Sequence, residues 1–476
     1  MSTWNMLIDG KLVSASDGGV TENHSPSTGR LLGEFPAATV DDVDRAVTSA
    51  ADAQRDWGRM QPRERGSVLR AMAAILREHR DELGLLDAQD GGNPVTAMIG
   101  DVELGAEMLE LFADWGTHLS GITLPGAPDL LHYTVREPYG VVARLVPYNH
   151  PIMFATTRIA APLMAGNSVV LKAPDQTPQS ALRMAELFAD ALPPGVLSVL
   201  TGPGARVGSA LVEHPLVRRI AFTGSVPTGQ AILRNAAAHG IKNVSLELGG
   251  KNPAIVLEDA DLDAAARGAV MGMNFHWTAG QSCGSTSRLL VHRSLYSDML
   301  ERIEAGAEAV RMGDPLDPET EMGSMVSSHH RDKVVSYIEA GRAEGLRLVT
   351  GGGAPGPGAF VEPTIFADVP SDSKLFQEEI FGPVLSVTPF DSEDEAVALA
   401  NDSDFGLTAS VWTRDVAHAH QLARRIDAGY LWINTCSRHF AGLPFGGVKD
   451  SGIGSEESTE ELHSFTQSKA VTVQLA

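Results

Sequence analysis

The chain has 476 residues, 43% of them hydrophobic and 20% charged, an ordinary globular composition that excludes a disordered, collagenous or coiled-coil chain. At roughly 100–200 residues per domain it points to about three domains. Its 37 basic and 60 acidic residues leave a formal charge of −23, a field that repels nucleic-acid phosphates and anionic membranes. Two cysteines, Cys283 and Cys436, make neither a disulfide framework nor a CxxC zinc spacing. The start shows no basic-then-apolar pattern, and the charge-poor stretch 268–287 is interrupted by Asn274, His276, Thr278, Gln281 and Ser282. The expectation is a cytoplasmic protein with no resident metal, no membrane and no nucleic-acid partner.

In chain order, residues 5–20 read as a short hairpin. Asp41, Asp42, Val43, Ala46 and Val47 open a helix whose acidic residues suit its amino end. Residues 62–88 read as a second helix, with Val68, Leu69, Met72, Ile75 and Leu76 at helical spacing. Residues 118–138 look like an extended excursion. Between Gly140 and Gly249, five apolar β-type runs (GVVARLVP, 168–174, 196–202, 218–224 and 243–250) alternate with helical patterns such as 177–192 and 205–214. That alternation predicts a parallel, doubly wound sheet. A second α/β array follows, with helices expected over 260–277, 295–310, 329–345, 393–401 and 416–427. The Gly/Pro-rich loop 351–360 reads as a flexible surface turn, and 468–475 as a terminal strand.

Polar and small residues recur at the carboxyl ends of the five runs, where such a sheet binds ligands. They are Asn149; Lys172 and Asp175; Gly202 and Gly204; Thr223, Gly224, Ser225 and Gly229; and Glu247, Gly249 and Gly250. FTGSVPTG (222–229) suits either an anion at a helix amino end or a plain Ser cap followed by Pro. Lys172 and Asp175 suit either a ribose, with the carboxylate favouring NAD over NADP, or a surface ion pair. Cys283, in WTAGQSCGSTSR, has small neighbours that admit a substrate and reads as a nucleophile or a small buried hydrophobe. Cys436, in INTCSRHF, reads as space-filling.

Eight ordered motifs settle these alternatives: PYNHP (147–151), LKAPDQTP (171–178), FTGS (222–225), LELGGKNP (246–253), GQSC (280–283), EEIFGPV (378–384), GLTASVWT (406–413) and LPFGG (443–447). Through them the chain resembles the NAD(P)-dependent aldehyde dehydrogenase superfamily along essentially its whole length. The resemblance implies two doubly wound α/β domains plus a small β oligomerisation element. It divides the chain into an NAD-binding domain (1–117 and 139–249), a catalytic domain (250–454) and the oligomerisation element (118–138 and 455–476), assembling as a homodimer or homotetramer. It implies that Cys283 is the nucleophile, Asn149 the oxyanion-hole side chain and Glu247 the general base that hydrolyses a thioester. Lys172, Asp175, Gly204, Gly208, Thr223, Gly224, Ser225, Glu379 and Phe381 match cofactor positions. Tyr148, His150, Phe154, Thr157, Trp277, His439 and Phe445 match positions that line the aldehyde tunnel. Tyr148 stands where the family usually has Trp, and Asp175 where many members carry Glu. His150 and His439 are unusual tunnel residues that suit either a polar or aromatic aldehyde or no role at all. A CoA-acylating or NADP-preferring member is the alternative, and Glu247 argues against the former.

Overall fold

The computed structural model describes residues 2–475. The five runs form the strands Val141–Leu145, Ser168–Lys172, Leu197–Leu200, Val217–Thr223 and Asn243–Glu247. They pair in parallel in the spatial order fifth, fourth, first, second, third. The chain thus winds outward from Val141–Leu145 on one side and returns on the other, so a crevice opens at the carboxyl ends of Val141–Leu145 and Val217–Thr223. Helices cover both faces, which is why every residue of Val141–Leu145 and Ser168–Lys172 is buried. The hairpin Met6–Ile8/Lys11–Val13 extends one edge antiparallel, and Gly452–Ile453 extends the other.

A second sheet has seven strands: Arg347–Thr350, Thr364–Ala367, Val384–Phe390, Arg288–His292, Pro253–Val256, Thr408–Trp412 and Tyr430–Ile433, parallel except for the first. Thr364–Ala367 was not among the expected strands. Its four residues, all buried, lie between prolines and are too short to show a period. A third, antiparallel sheet joins Thr466–Gln474 to Leu130–Pro138 over nine residue pairs, with Thr123–Leu124 beyond. The segment just before Thr466 lies elsewhere: Leu462 and Phe465 enter the apolar core of the first sheet, with Ile159 and Leu163.

The helix expected over 62–88 is two helices, Pro62–Glu78 and Arg80–Gly91. His79, at φ −104°, ψ 19°, breaks the helix between them and redirects the chain so that Gly84 seats against Ile99. The helix expected over 260–277 likewise ends at Gly272 and resumes for one turn at Phe275–Thr278. Helix Val95–Trp115 was not anticipated, because its apolar residues surround the axis instead of marking one stripe. It crosses helix Pro151–Met164 closely at Gly105, where an added Cβ would stand 2.2 Å from Thr156 Oγ1. Loop 351–360 is only partly a surface turn. Gly358 and Ala359 are buried, with the Ala359 N–H donating to Pro26 O and its carbonyl accepting from Met325 N.

Burying Arg144 in the central strand requires partners. Its Nη1 donates to Glu456 Oε1 at 3.0 Å and its Nη2 to Glu461 Oε1 at 2.9 Å, while Arg158 Nη2 lies 2.7 Å from Glu456 Oε2. All four side chains are at most 8% exposed. Arg144→Met strands the buried Glu461 carboxylate and leaves Glu456 with Arg158 alone, and should cost about 3–5 kcal/mol in denaturant unfolding. Arg70→Met, whose partner Asp114 is exposed, should cost far less. Equal losses would show that the buried network does not anchor the carboxyl-terminal segment.

Candidate active site

Three side chains from separate elements converge at the switch-point crevice. Asn149 follows strand Val141–Leu145 and is 4% exposed; its Nδ2 donates to Gln281 O at 2.9 Å, leaving the second amide hydrogen free. Glu247 ends strand Asn243–Glu247, also 4% exposed. Its Oε2 lies 3.9 Å from the half-buried Cys283 Sγ, and its Oε1 is sealed without a partner. Asn252 holds the Cys283 loop: its Nδ2 donates to Cys283 O at 2.7 Å and Ser285 O at 2.9 Å, and its Oδ1 accepts from Thr408 N. The turn into this loop is bracketed by two left-handed residues, Asn274 (φ 56°) and Ala279 (φ 50°).

The electrostatics oppose early ionisation. Burial, then the neighbouring Glu456, push the Glu247 carboxyl well above the usual carboxylate range, with Arg158 opposing. Burial, then Glu247 and Glu379, push the Cys283 thiol well above the ordinary value, and Arg158 again opposes. Arg158 is therefore the buried cation that makes either anion affordable in this place. The other thiol, Cys436, is buried against Gly268 O at 3.1 Å and pushed up to about 11 by burial.

A cavity of about 370 Å³ leads to Cys283. His150, Phe154, Thr157, Trp277, His439 and Phe445 of the expected tunnel line it, together with Asn149 and Glu247. Tyr148 does not; it packs edge-on to Phe381 and His330, ring centroids 5.9 and 6.1 Å away. Two residues before His150, the chain has not yet turned into helix Pro151–Met164, and Tyr148 packs on Phe381 and His330 instead. His439 stacks on Phe445 at 4.3 Å, and its Nδ1 lies 3.1 Å from Glu457 Oε2.

The expected cofactor residues from Lys172 to Ser225 follow the carboxyl ends of the first sheet's strands, and Glu379 and Phe381 come from the loop before strand Val384–Phe390 of the second. Lys172 Nζ donates to Asp175 Oδ1 at 2.5 Å, and Asp175 Oδ2 accepts from Gly204 N at 3.3 Å. Gly204–Gly208 is one wide helical turn that continues into Ser209–Glu213. Ser225 does cap helix Val226–Ala238 by position, but its hydroxyl bonds Thr228, so the first-turn N–H groups carry no side-chain cap. Thr223 is buried beneath, and Gly224 N donates to Glu247 O. Glu379 Oε1 accepts from Gly250 N at 3.0 Å, and an added Cβ at Gly249 would stand 2.1 Å from Glu379 Oε2. Burial pushes Glu379 up to about 7. Phe381 holds φ 57°, its carbonyl fixed by His330.

Several residues of the site carried no sequence signal. Arg158 and Glu456 lie 298 positions apart by number and meet only through the fold. Asn252 sits inside the LELGGKNP motif, but nothing in the sequence marked it as the residue that holds the Cys283 loop. Asp101, on the unanticipated helix Val95–Trp115, accepts from Trp277 Nε1 at 3.1 Å and lies 2.8 Å from His150 Nδ1.

Residues 13–471 match the model of the aldehyde dehydrogenase family. The chain is 46% identical to the aldehyde dehydrogenase tropH of Talaromyces stipitatus, over 99% of this chain and 93% of that one. It superposes on the NAD+ complex of an aldehyde dehydrogenase from Bacillus cereus with TM-score 0.97 at 40% identity, covering 100% of this chain and 97% of that one. It superposes equally on the Pseudomonas syringae indole-3-acetaldehyde dehydrogenase AldA in complex with NAD+ and IAA, TM-score 0.98 at 38% identity, covering 100% and 97%.

The Cys283–Glu247 geometry makes a labelling prediction. Thiol alkylation in the folded protein should modify Cys283 long before Cys436, with a pH midpoint above that of free cysteine. Glu247→Gln removes the adjacent anion, so the midpoint should fall and labelling at fixed pH should quicken. Slower labelling in that variant would instead make Glu247 the base that ionises the thiol.

Proposed function

The chain belongs to the aldehyde dehydrogenase family, and we propose that this oxidoreductase converts an aldehyde to the carboxylic acid with NAD, using Cys283 as nucleophile, Asn149 as oxyanion donor and Glu247 as general base. The observation that carries the reading is the convergence of a reachable thiol, a buried carboxylate 3.9 Å from it and a pinned amide at the end of one cavity.

The residues present fit a dinucleotide. The uncapped amino end of Val226–Ala238 suits a diphosphate, and Gly204 faces open space. The Asp175 carboxylate suits a ribose hydroxyl and would repel a 2′-phosphate, which favours NAD over NADP. Lys172, Asp175, Gly204, Gly208, Thr223, Gly224 and Ser225 would hold the adenosine and diphosphate part, Glu379 and Phe381 the nicotinamide ribose. The chemistry NAD supplies when bound is acceptance of a hydride.

The chain's own steps follow. The Cys283 thiolate adds to the aldehyde carbon, and the carbonyl oxygen, now an oxyanion, receives hydrogen bonds from Asn149 Nδ2 and the Cys283 backbone N–H. Loss of hydride from that carbon leaves a thioester on Cys283. Glu247 then takes a proton from water, whose oxygen attacks the thioester; the acid leaves and the thiolate returns. A carboxylate raised by burial is well matched to taking that proton near neutral pH. Its place beside the thiol supports water over CoA as the acyl acceptor. Residues 1–117 and 139–249 would form the NAD-binding domain, 250–454 the catalytic domain, and 118–138 with 455–476 the element through which copies associate.

Mixing the enzyme with NAD and an aldehyde should give a stoichiometric NADH burst followed by turnover, with free acid as product and no acyl-CoA when CoA is added. Cys283→Ala should give neither phase. Glu247→Gln should keep the burst and slow turnover by about 10²–10⁴; unchanged turnover would remove Glu247 from its role. Because Glu247 is raised, its acid limb in kcat should lie above the ordinary carboxylate range, activity rising with pH as it deprotonates.

A further inference from the structure

One wall of the cavity is wired in a way that the oxidation itself does not use. Asp101, fully buried, has both oxygens engaged: Oδ1 accepts from Trp277 Nε1 at 3.1 Å, and Oδ2 lies 2.8 Å from His150 Nδ1. An indole N–H can only donate, so the carboxylate accepts there. An ionised carboxylate can only accept from the imidazole too, so Nδ1 carries the proton. In that tautomer Nε2 is the acceptor nitrogen. Among the described residues that atom has no hydrogen-bond partner and, although His150 is 6% exposed, it is not among the sealed polar atoms; His150 lines the cavity. The tautomer, the ring plane and the Trp277 position are all held by one carboxylate, with the two rings edge-on at 5.0 Å. Around it the walls are flat and aromatic: Phe154 lies edge-on to His150 at 5.9 Å, and His439 stacks on Phe445 across the cavity lining.

Resting on the aldehyde-oxidising reading above, we propose that His150 determines specificity by accepting a hydrogen bond from a hydroxyl on the substrate's ring, so that the preferred class is planar, hydroxyl-bearing aromatic aldehydes. Asp101 is the positioning residue that fixes the accepting tautomer.

The test compares kcat/KM within isosteric pairs: 3- and 4-hydroxybenzaldehyde against the methyl analogues, and 3- and 4-methoxybenzaldehyde against the ethyl analogues. Wild type should favour at least one hydroxy isomer by about fivefold, the worth of one net hydrogen bond, and should show a methoxy/ethyl ratio near one. His150→Phe keeps an aromatic ring and loses the acceptor, so both ratios should fall within about twofold of one. Asp101→Asn is isosteric. Its Oδ1 must serve Trp277, its Nδ2 then donates to Nδ1, and the proton moves to Nε2. The ring becomes a donor, and the methoxy/ethyl ratio should rise severalfold above one. Each ratio is taken within one variant, so a general loss of activity or of folded protein cancels; should His150→Phe give no folded protein, the Asp101→Asn ratios decide. A wild-type hydroxy/methyl ratio near one, or ratios unmoved by both substitutions, would overturn the proposal while NADH formation from benzaldehyde leaves the aldehyde-oxidising reading standing. No NADH from any aromatic or aliphatic aldehyde would overturn that reading itself.

Discussion

The site depends on a single buried cation. Glu247 and Cys283 stand 3.9 Å apart in a crevice where burial raises both, and Glu247 raises the thiol further. Two anions at that separation, in a poorly solvated place, are mutually unfavourable by several kcal/mol unless a positive charge is near. Arg158 supplies it. Its guanidinium is anchored on Glu456 and lies 4.9 Å from the Phe154 ring centroid, so it cannot swing away to pair fully with either group. It lowers both without neutralising either. A base and a nucleophile that must act in succession need this intermediate condition: one negative charge is tolerated at a time, and the proton has two places to be.

That cation is itself part of a larger network. Arg144 in the central strand bridges Glu456 and Glu461, and its Nε donates to Arg158 O. The carboxyl-terminal segment is thus tied to the strand that precedes Asn149. Glu456 also pairs its backbone with Phe445 in both directions, which places the aromatic wall of the cavity in the same assembly. Stability and the proposed chemistry draw on the same ion cluster, so the segment 456–465 is as much a part of the site as the crevice loops are.

The legible parts of the molecule were those where one period or one motif spans few residues. The five parallel strands are short continuous apolar runs separated by helices, and all five were readable from pattern alone. The motif residues at their carboxyl ends were readable because topology places ligands there. What escaped did so for identifiable reasons. Val95–Trp115 is apolar around its axis, so no stripe announced it, and with it went Asp101. Thr364–Ala367 is four residues long. The break at His79 has neither Gly nor Pro to mark it. Arg158 sits in an apolar helix as an isolated charge, and its partner comes from the far end of the chain. Tyr148 was expected in the cavity with the rest of its PYNHP motif, but two residues before His150 the chain direction at the strand end sends it toward Phe381 instead.

The cavity joins two kinds of wall. On one side, His439 is held by Glu457, a carboxyl that burial raises but that His439 and Arg158 pull below its usual range. On the other, His150 is held by Asp101. An imidazole without a carboxylate chooses its tautomer by what approaches it, and so discriminates little between a donor and an acceptor. Fixing Nδ1 against a carboxylate removes that choice before any ligand arrives. For Asp101 the constraint is stricter than for Glu457, because Trp277 consumes its second oxygen and no water-facing alternative remains at a fully buried carboxylate. A side chain that desolvates a charge completely in order to orient one ring is costly to the fold. It is retained with less difficulty where the oriented nitrogen faces a ligand than where it faces only protein.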